Sequence, residues 1–142
     1  SQNDALVGHQ DSLIYATSVR EGGESDGKPI GVLGGLRNCK RMAKPILNEL
    51  AVSKQQSEQT SAMILSSEGE VLADRDNQPF DSTIRLPNLD TILASARGFD
   101  VSLIGDKTYC IAYAKAPGFE TYTTDWYSVI LQPITNMAGS QN

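Results

Sequence analysis

Leu13 to Arg20 (LIYATSVR) and Pro29 to Leu36 (PIGVLGGL) are two runs rich in apolar residues, with the polar, glycine-containing Glu21 to Lys28 between them. Two such runs around a polar loop read as the strands of a hairpin whose loop is Glu21 to Lys28. From Asn38 a helical period sets in. Cys39, Met42, Ala43, Ile46, Leu47 and Leu50 fall on one face of a helix that Asn38 is placed to cap. Pro45 interrupts that helix on its polar face, where the carbonyl of Arg41 loses its intrahelical donor and can be solvated. A polar stretch from Ser53 to Ser61 ends the segment.

Ala62 to Leu65, a turn at Ser67-Glu68-Gly69 and Glu70 to Ala73 predict a second, short hairpin. After a polar loop, Asn88 is placed to cap a helix with Leu89, Ile92, Leu93 and Ala96 on its buried face and Gly98 at its end. Phe99 to Ile104, Lys107 to Lys115 and Trp126 to Gln132 read as three more strands, joined by Gly105-Asp106 and then by Ala116 to Asp125. Hairpin-length connections predict an antiparallel sheet with flanking helices, the α+β class, and exclude a parallel nucleotide-binding sheet. The strand Lys107 to Lys115 is apolar on both faces, which predicts an interior position in that sheet.

Composition supports a packed core, with 39% apolar and 20% charged residues in 142. Twelve basic against 17 acidic residues give a formal charge of −5, and the densest basic cluster is Arg37, Lys40, Arg41 and Lys44, the solvated face of a helix. A nucleic-acid partner is therefore not expected. Ile30 to Leu36 and Tyr109 to Ala114 are far too short to cross a bilayer. Ser1 to Gln10 reads as a frayed tail with neither a start methionine nor the pattern of a signal peptide, so the chain is expected to be a piece excised from a longer protein, with any membrane anchor outside it.

The candidate chemistry is sparse. His9 is the only histidine and lies in the tail, which removes an oriented general base and leaves Cys39 and Cys110 without the partners a zinc site needs. Those cysteines read as buried free thiols. Gly31, Gly34 and Gly35 precede a helix but match no phosphate-loop pattern, and Asp74, Asp76 and Asp81 lack the spacing of a calcium loop. No catalysis, metal or cofactor is expected. One feature invites a ligand: Tyr109, Ile111 and Tyr113 share one face of their strand, which either walls a cavity or simply packs a core, and Trp126 has the same ambiguity.

Ala62 to Asp74 (AMILSSEGEVLAD), a short helix, Gly105 to Ala114 (GDKTYCIAYA) and Asp125 to Gln132 (DWYSVILQ) resemble the PAS-type core of Cache sensor domains. Leu13 to Arg20 with Lys28 to Leu36 and the helix from Asn38 is similar to the strand pair and connecting helix of double-Cache or GAF-like sensors. Pro117 to Gln132 resembles segments of methyl-accepting chemotaxis proteins. The resemblance implies one sensor domain, with residues 1–10 a tail, 11–60 a strand pair plus helix, 61–133 the PAS-like core and 134–142 a second tail. It implies a membrane receptor's signalling module, outside the cytoplasm or alternatively within it, that binds a small molecule and does no chemistry. A relay or dimerisation module without a ligand is the alternative. Amino-acid-sensing members carry a helix-borne arginine before a Trp-Tyr pair; here Trp126-Tyr127 opens the last strand with Thr124 before it, which counts against that ligand.

If the ligand is a carboxylate, Tyr109 and Tyr113 are expected to meet it together with a cation. Arg85 is the first choice because Ile84 and Leu86 flank it, and Arg75 the second because acidic residues surround it.

Overall fold

The first hairpin forms where two runs around a polar loop predict it, with every residue of its second strand exposed. In the computed structural model, which describes residues 12–50, 52–76, 78–118 and 123–135, β1 (Ser12–Arg20) and β2 (Pro29–Asn38) pair antiparallel, with Ile14 opposite Leu36 and Val19 opposite Gly31. Segment 1–10 with His9, the chain from residue 136 and the middle of the loop Ala116 to Asp125 lie outside the described residues. Glu21 N donates to Lys28 O at 2.9 Å and Arg20 Nη1 to Gly27 O at 2.9 Å, closing the loop between the strands.

Asn38 acts as the expected cap: its Oδ1 accepts from Arg41 N at 2.8 Å and starts α1 (Cys39–Asn48). The helix runs through Pro45, and Glu49 N donates to Pro45 O at 3.1 Å at its end. The buried stripe is narrower than the periodicity suggests, because Cys39, Ala43 and Leu47 are buried while Ile46 is 70% exposed. The chain divides into two compact units between Met42 and Ala43, within this helix.

The second unit holds a five-stranded antiparallel sheet in the order β4-β3-β7-β6-β5, built from β3 (Ser61–Leu65), β4 (Val71–Asp74), β5 (Arg97–Ile104), β6 (Lys107–Lys115) and β7 (Tyr127–Pro133). β6 lies between β7 and β5, as its two apolar faces require. On one face of β3 and β4, Ala62 and Ala73 pack with Ala43 and Leu47 of α1. On the opposite face, Met63, Leu65, Ile111, Val129 and Leu131 meet Phe80, Leu86, Leu89 and Ile92 from the loop after β4 and from α3 (Leu89–Ala94). The α+β, PAS-like expectation is thus met by the sheet and its flanking helices.

Several local readings change. Asn88 stands at the N-cap of α3, yet its side chain makes no capping bond; its Nδ2 donates to Asp100 and to Ser102 Oγ of β5. Gly98 does not end α3, which stops at Ala94, but lies inside β5, where a Cβ would stand 2.7 Å from Tyr113 Oη. The polar stretch after Ser53 contains a one-turn helix, α2 (Lys54–Ser57), closed by a capping box between Ser53 and Gln56. Cys39 is buried but Cys110 only half-buried, and no disulfide joins them.

Asp76 ties the second unit's part of α1 to the loop after β4. Lys44 Nζ lies 2.5 Å from its Oδ1, Asn48 Nδ2 donates to Oδ2 at 3.1 Å, and Asp76 N donates back to Asn48 Oδ1 at 3.0 Å. The hydrogen bond from Lys44, then that from Asn48, holds the Asp76 carboxyl below the ordinary aspartate value. A carboxylate depressed in the folded state stabilises above its unfolded pKa and loses that contribution as pH falls through its folded pKa. In a carbon-detected NMR titration Asp76 should therefore titrate below a random-coil aspartate, and Lys44→Met should move its midpoint upward. An unchanged midpoint would show that the pair does not form in solution.

Candidate functional site

The tyrosine face of β6 is core. Tyr109 and Tyr113 are 7% and 9% exposed, and Phe80 meets Tyr109 edge-on, with centroids 5.8 Å apart and an interplanar angle of 81°. Tyr127 joins them from β7 and donates its hydroxyl to Leu93 O at 2.9 Å. Tyr113 lies over Gly98, the one position of β5 where a missing side chain makes room for its ring.

At the end of this core, where β6 begins and β7 ends, a cleft of about 420 Å³ opens. The residues that line it include Tyr109, Glu58, Asp106, Lys107, Thr108 and Thr135. The two-residue Gly105-Asp106 turn, with Gly105 at φ +64°, sets Asp106 and Lys107 on its rim. The size falls in the range of small-ligand sites, and acid, base and hydroxyl groups at one mouth suit a molecule carrying both charges.

The other expected site residues do not gather there. Arg75 supports the cleft from behind: its Nη1 donates to the carbonyls of Ser57 and Thr60 at 2.9 and 3.0 Å, and its Nη2 to Ser57 Oγ at 2.5 Å. It thereby fixes the segment that carries Glu58. Its Nε and the Nε2 of Gln78 are buried without a hydrogen-bond partner. Arg85 is on the surface, its side chain 76% exposed and 3.9 Å from Asp90 Oδ1. Trp126 precedes β7 and lines a separate cleft of about 290 Å³ with Ile64, Ala114 and Ser128, on the opposite side of the sheet from Tyr109 and Tyr113.

The three aspartates also have individual partners: Ser82 donates to Asp74 at 2.6 Å, Lys44 holds Asp76, and Thr83 donates twice to Asp81, which lowers its pKa. Among the described residues no three His, Cys, Asp or Glu side chains converge as metal ligands. Sequence reasoning missed Glu58, Asp106 and Lys107 because two distant segments supply them; the charged Gly105-Asp106-Lys107 turn beside Tyr109 was the available signal.

No protein-family model matches the chain. No curated protein matches it either. Among solved structures, the ligand-binding domain of the Pseudomonas aeruginosa PAO1 amino acid chemoreceptor PctB, in complex with L-Arg, is similar at a TM-score of 0.53 and 21% identity over 86% of this chain and 44% of that one. The chain has the fold of chemoreceptor ligand-binding domains. The ligand-binding domain of the Pseudomonas fluorescens chemoreceptor CtaA gives the same result, with L-isoleucine at a TM-score of 0.52, 16% identity, 86% of this chain and 45% of that one. Its complex with L-leucine gives 0.50 and 14% over 91% of this chain and 56% of that one. The chain spans about half the length of these neighbours. Within the described residues no helix is long and apolar enough to cross a membrane.

Proposed function

We propose that this chain is part of the sensory region of a chemotaxis-type receptor, exposed outside the cytoplasm, and that it binds a small zwitterionic metabolite of the amino-acid class without transforming it. The shared fold carries the reading, because neighbours of that fold are seen in complex with L-Arg, L-isoleucine and L-leucine. The cleft at Tyr109 supplies the matching chemistry: Lys107 faces the ligand's carboxylate, Asp106 and Glu58 its ammonium, and the tyrosine ring its apolar part. Lys107 takes the place that the sequence offers to Arg85 or Arg75, since the first is remote on the surface and the second is engaged with backbone carbonyls.

A thermal-shift screen over the amino acids and simple dicarboxylates tests this. A ligand present at about 100 times its dissociation constant adds roughly 2.7 kcal/mol of stability. The expected result is a shift with at least one amino acid that Lys107→Ala abolishes while leaving the unliganded midpoint in place. A shift that survives Lys107→Ala would put the site elsewhere. The packing of Tyr109 and Tyr113 into the core favours the second reading, a relay module with no ligand, and the absence of any shift across the screen would select it.

A further inference from the structure

β5 ends the five-stranded sheet, pairing with β6 on one side and, among the described residues, with no strand on the other. In an antiparallel ladder, alternate residues turn both backbone groups to the same neighbour. Lys115 N donates to Ala96 O at 2.7 Å, which sets the phase: residues 96, 98, 100, 102 and 104 face β6. Arg97, Phe99, Val101 and Leu103 therefore turn their N–H and C=O groups to the open edge, where Val101 N donates to Asp100 Oδ1 at 2.7 Å. Their side chains share the sheet face away from Phe80, where Phe99, Val101 and Leu103 are 75%, 52% and 68% exposed. This stretch has no proline, no lysine and no irregularity in its ladder, and the charges it carries are Arg97 at its start and Asp100 on its inward face.

We infer that β5 is a self-association edge, at which a second copy of this chain adds antiparallel about a two-fold axis through Val101. The strand is complementary to itself in that register. Val101 meets Val101 of the second copy, Phe99 meets Leu103, and all three are positions whose backbone groups point outward, so each opposing pair exchanges two hydrogen bonds, the Val101 amide leaving the Asp100 carboxylate for the second copy's carbonyl. Asp100 comes opposite Ser102 rather than another carboxylate. Arg97 comes opposite Gly105, next to Asp106, so opposite charges meet at each end. An axis through Phe99 would leave Leu103 beyond the paired stretch, and one through Leu103 would set Phe99 against Lys107. Strand edges alone bury less than a standard interface, so the dimer is weak and depends on concentration.

Sedimentation velocity and amide exchange on the 142-residue chain from about 10 μM to about 1 mM test the inference. A dimer should appear with concentration, and the amides of Phe99, Val101 and Leu103 should exchange about tenfold more slowly when nine-tenths of the chain is paired. The amides of Asp100 and Ser102, already bonded to β6, should not change. Val101→Lys sets two ammonium groups face to face on the axis and should abolish the dimer without lowering the unfolding midpoint, whereas Val101→Thr should keep it. A chain monomeric throughout the range, a dimer that survives Val101→Lys, or a dimer without slowed exchange at the three outward amides would each overturn the inference.

Discussion

Leu131→Ala is expected to destabilise the five-stranded unit by about 3 to 4 kcal/mol, the largest effect of any single truncation considered. Leu131 is fully buried in β7, opposite Ser61 of β3 on one side and Ile111 of β6 on the other. Its side chain belongs to the cluster that seats Phe80, Leu86, Leu89 and Ile92 on the sheet. Central-strand backbone cannot collapse into the space left by the removed atoms without breaking a ladder on both sides, so the cavity persists and adds to the lost transfer energy. For a unit of about 100 residues each kcal/mol moves the melting midpoint by about 4 to 8 °C, so a fall of at least 12 °C is expected by calorimetry. Leu103→Ala, on the exposed edge strand, should stay within about 0.5 kcal/mol. If both variants melted alike, the assignment of the inward face of β7 would be wrong.

That inward face shows where sequence reading reached its limit. In the last strand Trp126, Ser128 and Ile130 alternate with Tyr127, Val129 and Leu131, and both sets hold large apolar residues, so parity was open. Burial selects the second set and leaves Trp126 on the other side of the sheet. β6 was clearer, because a strand with apolar residues on both faces would be costly to expose at an edge, and its neighbours β5 and β7 follow from the turn and loop lengths.

Short elements carried less signal. α2 completes one turn, too short for a period to register, although Ser53 and Gln56 have the spacing of a capping box. Gly98 and Asn88 have the residue types of a helix stop and a helix cap, but tertiary partners claim both: the ring of Tyr113 needs the space over Gly98, and Asp100 and Ser102 take the Asn88 amide.

The candidate site was legible only in part. Tyr109 was singled out and does line the cleft, but Phe80 and Leu86, which close the core over the tyrosines, come from a loop whose apolar residues follow no period. Ile84 and Leu86 flank Arg85 symmetrically in sequence, yet only Leu86 is buried, and so the arginine stays in solvent. Glu58 reaches the cleft because Arg75 holds the carbonyls of Ser57 and Thr60, a tertiary contact that no local pattern announces.

The β3–β4 turn supplies the second large effect. Gly69 has φ +86°, its N–H donates to Ser66 O at 3.0 Å, and a Cβ there would stand 2.6 Å and 3.0 Å from the two methyl carbons of Leu89, the first residue of α3. Gly69→Ala therefore combines a left-handed backbone, about 1 to 3 kcal/mol for a side-chain-bearing residue, with overpacking against a buried leucine, typically 1 to 3 kcal/mol. A loss of about 2 to 4 kcal/mol in urea unfolding is expected. Gly105 separates the two causes: its φ is +64° but nothing lies within 4 Å of its added Cβ, so Gly105→Ala reports backbone strain alone. Leu89→Ala by itself opens a cavity and destabilises, but in the double variant the alanine at residue 69 grows toward the vacated space. The two substitutions should then cost less together than the sum of their separate effects, by about 1 kcal/mol. Strict additivity, or equal losses for Gly69→Ala and Gly105→Ala, would mean that α3 does not rest on this turn.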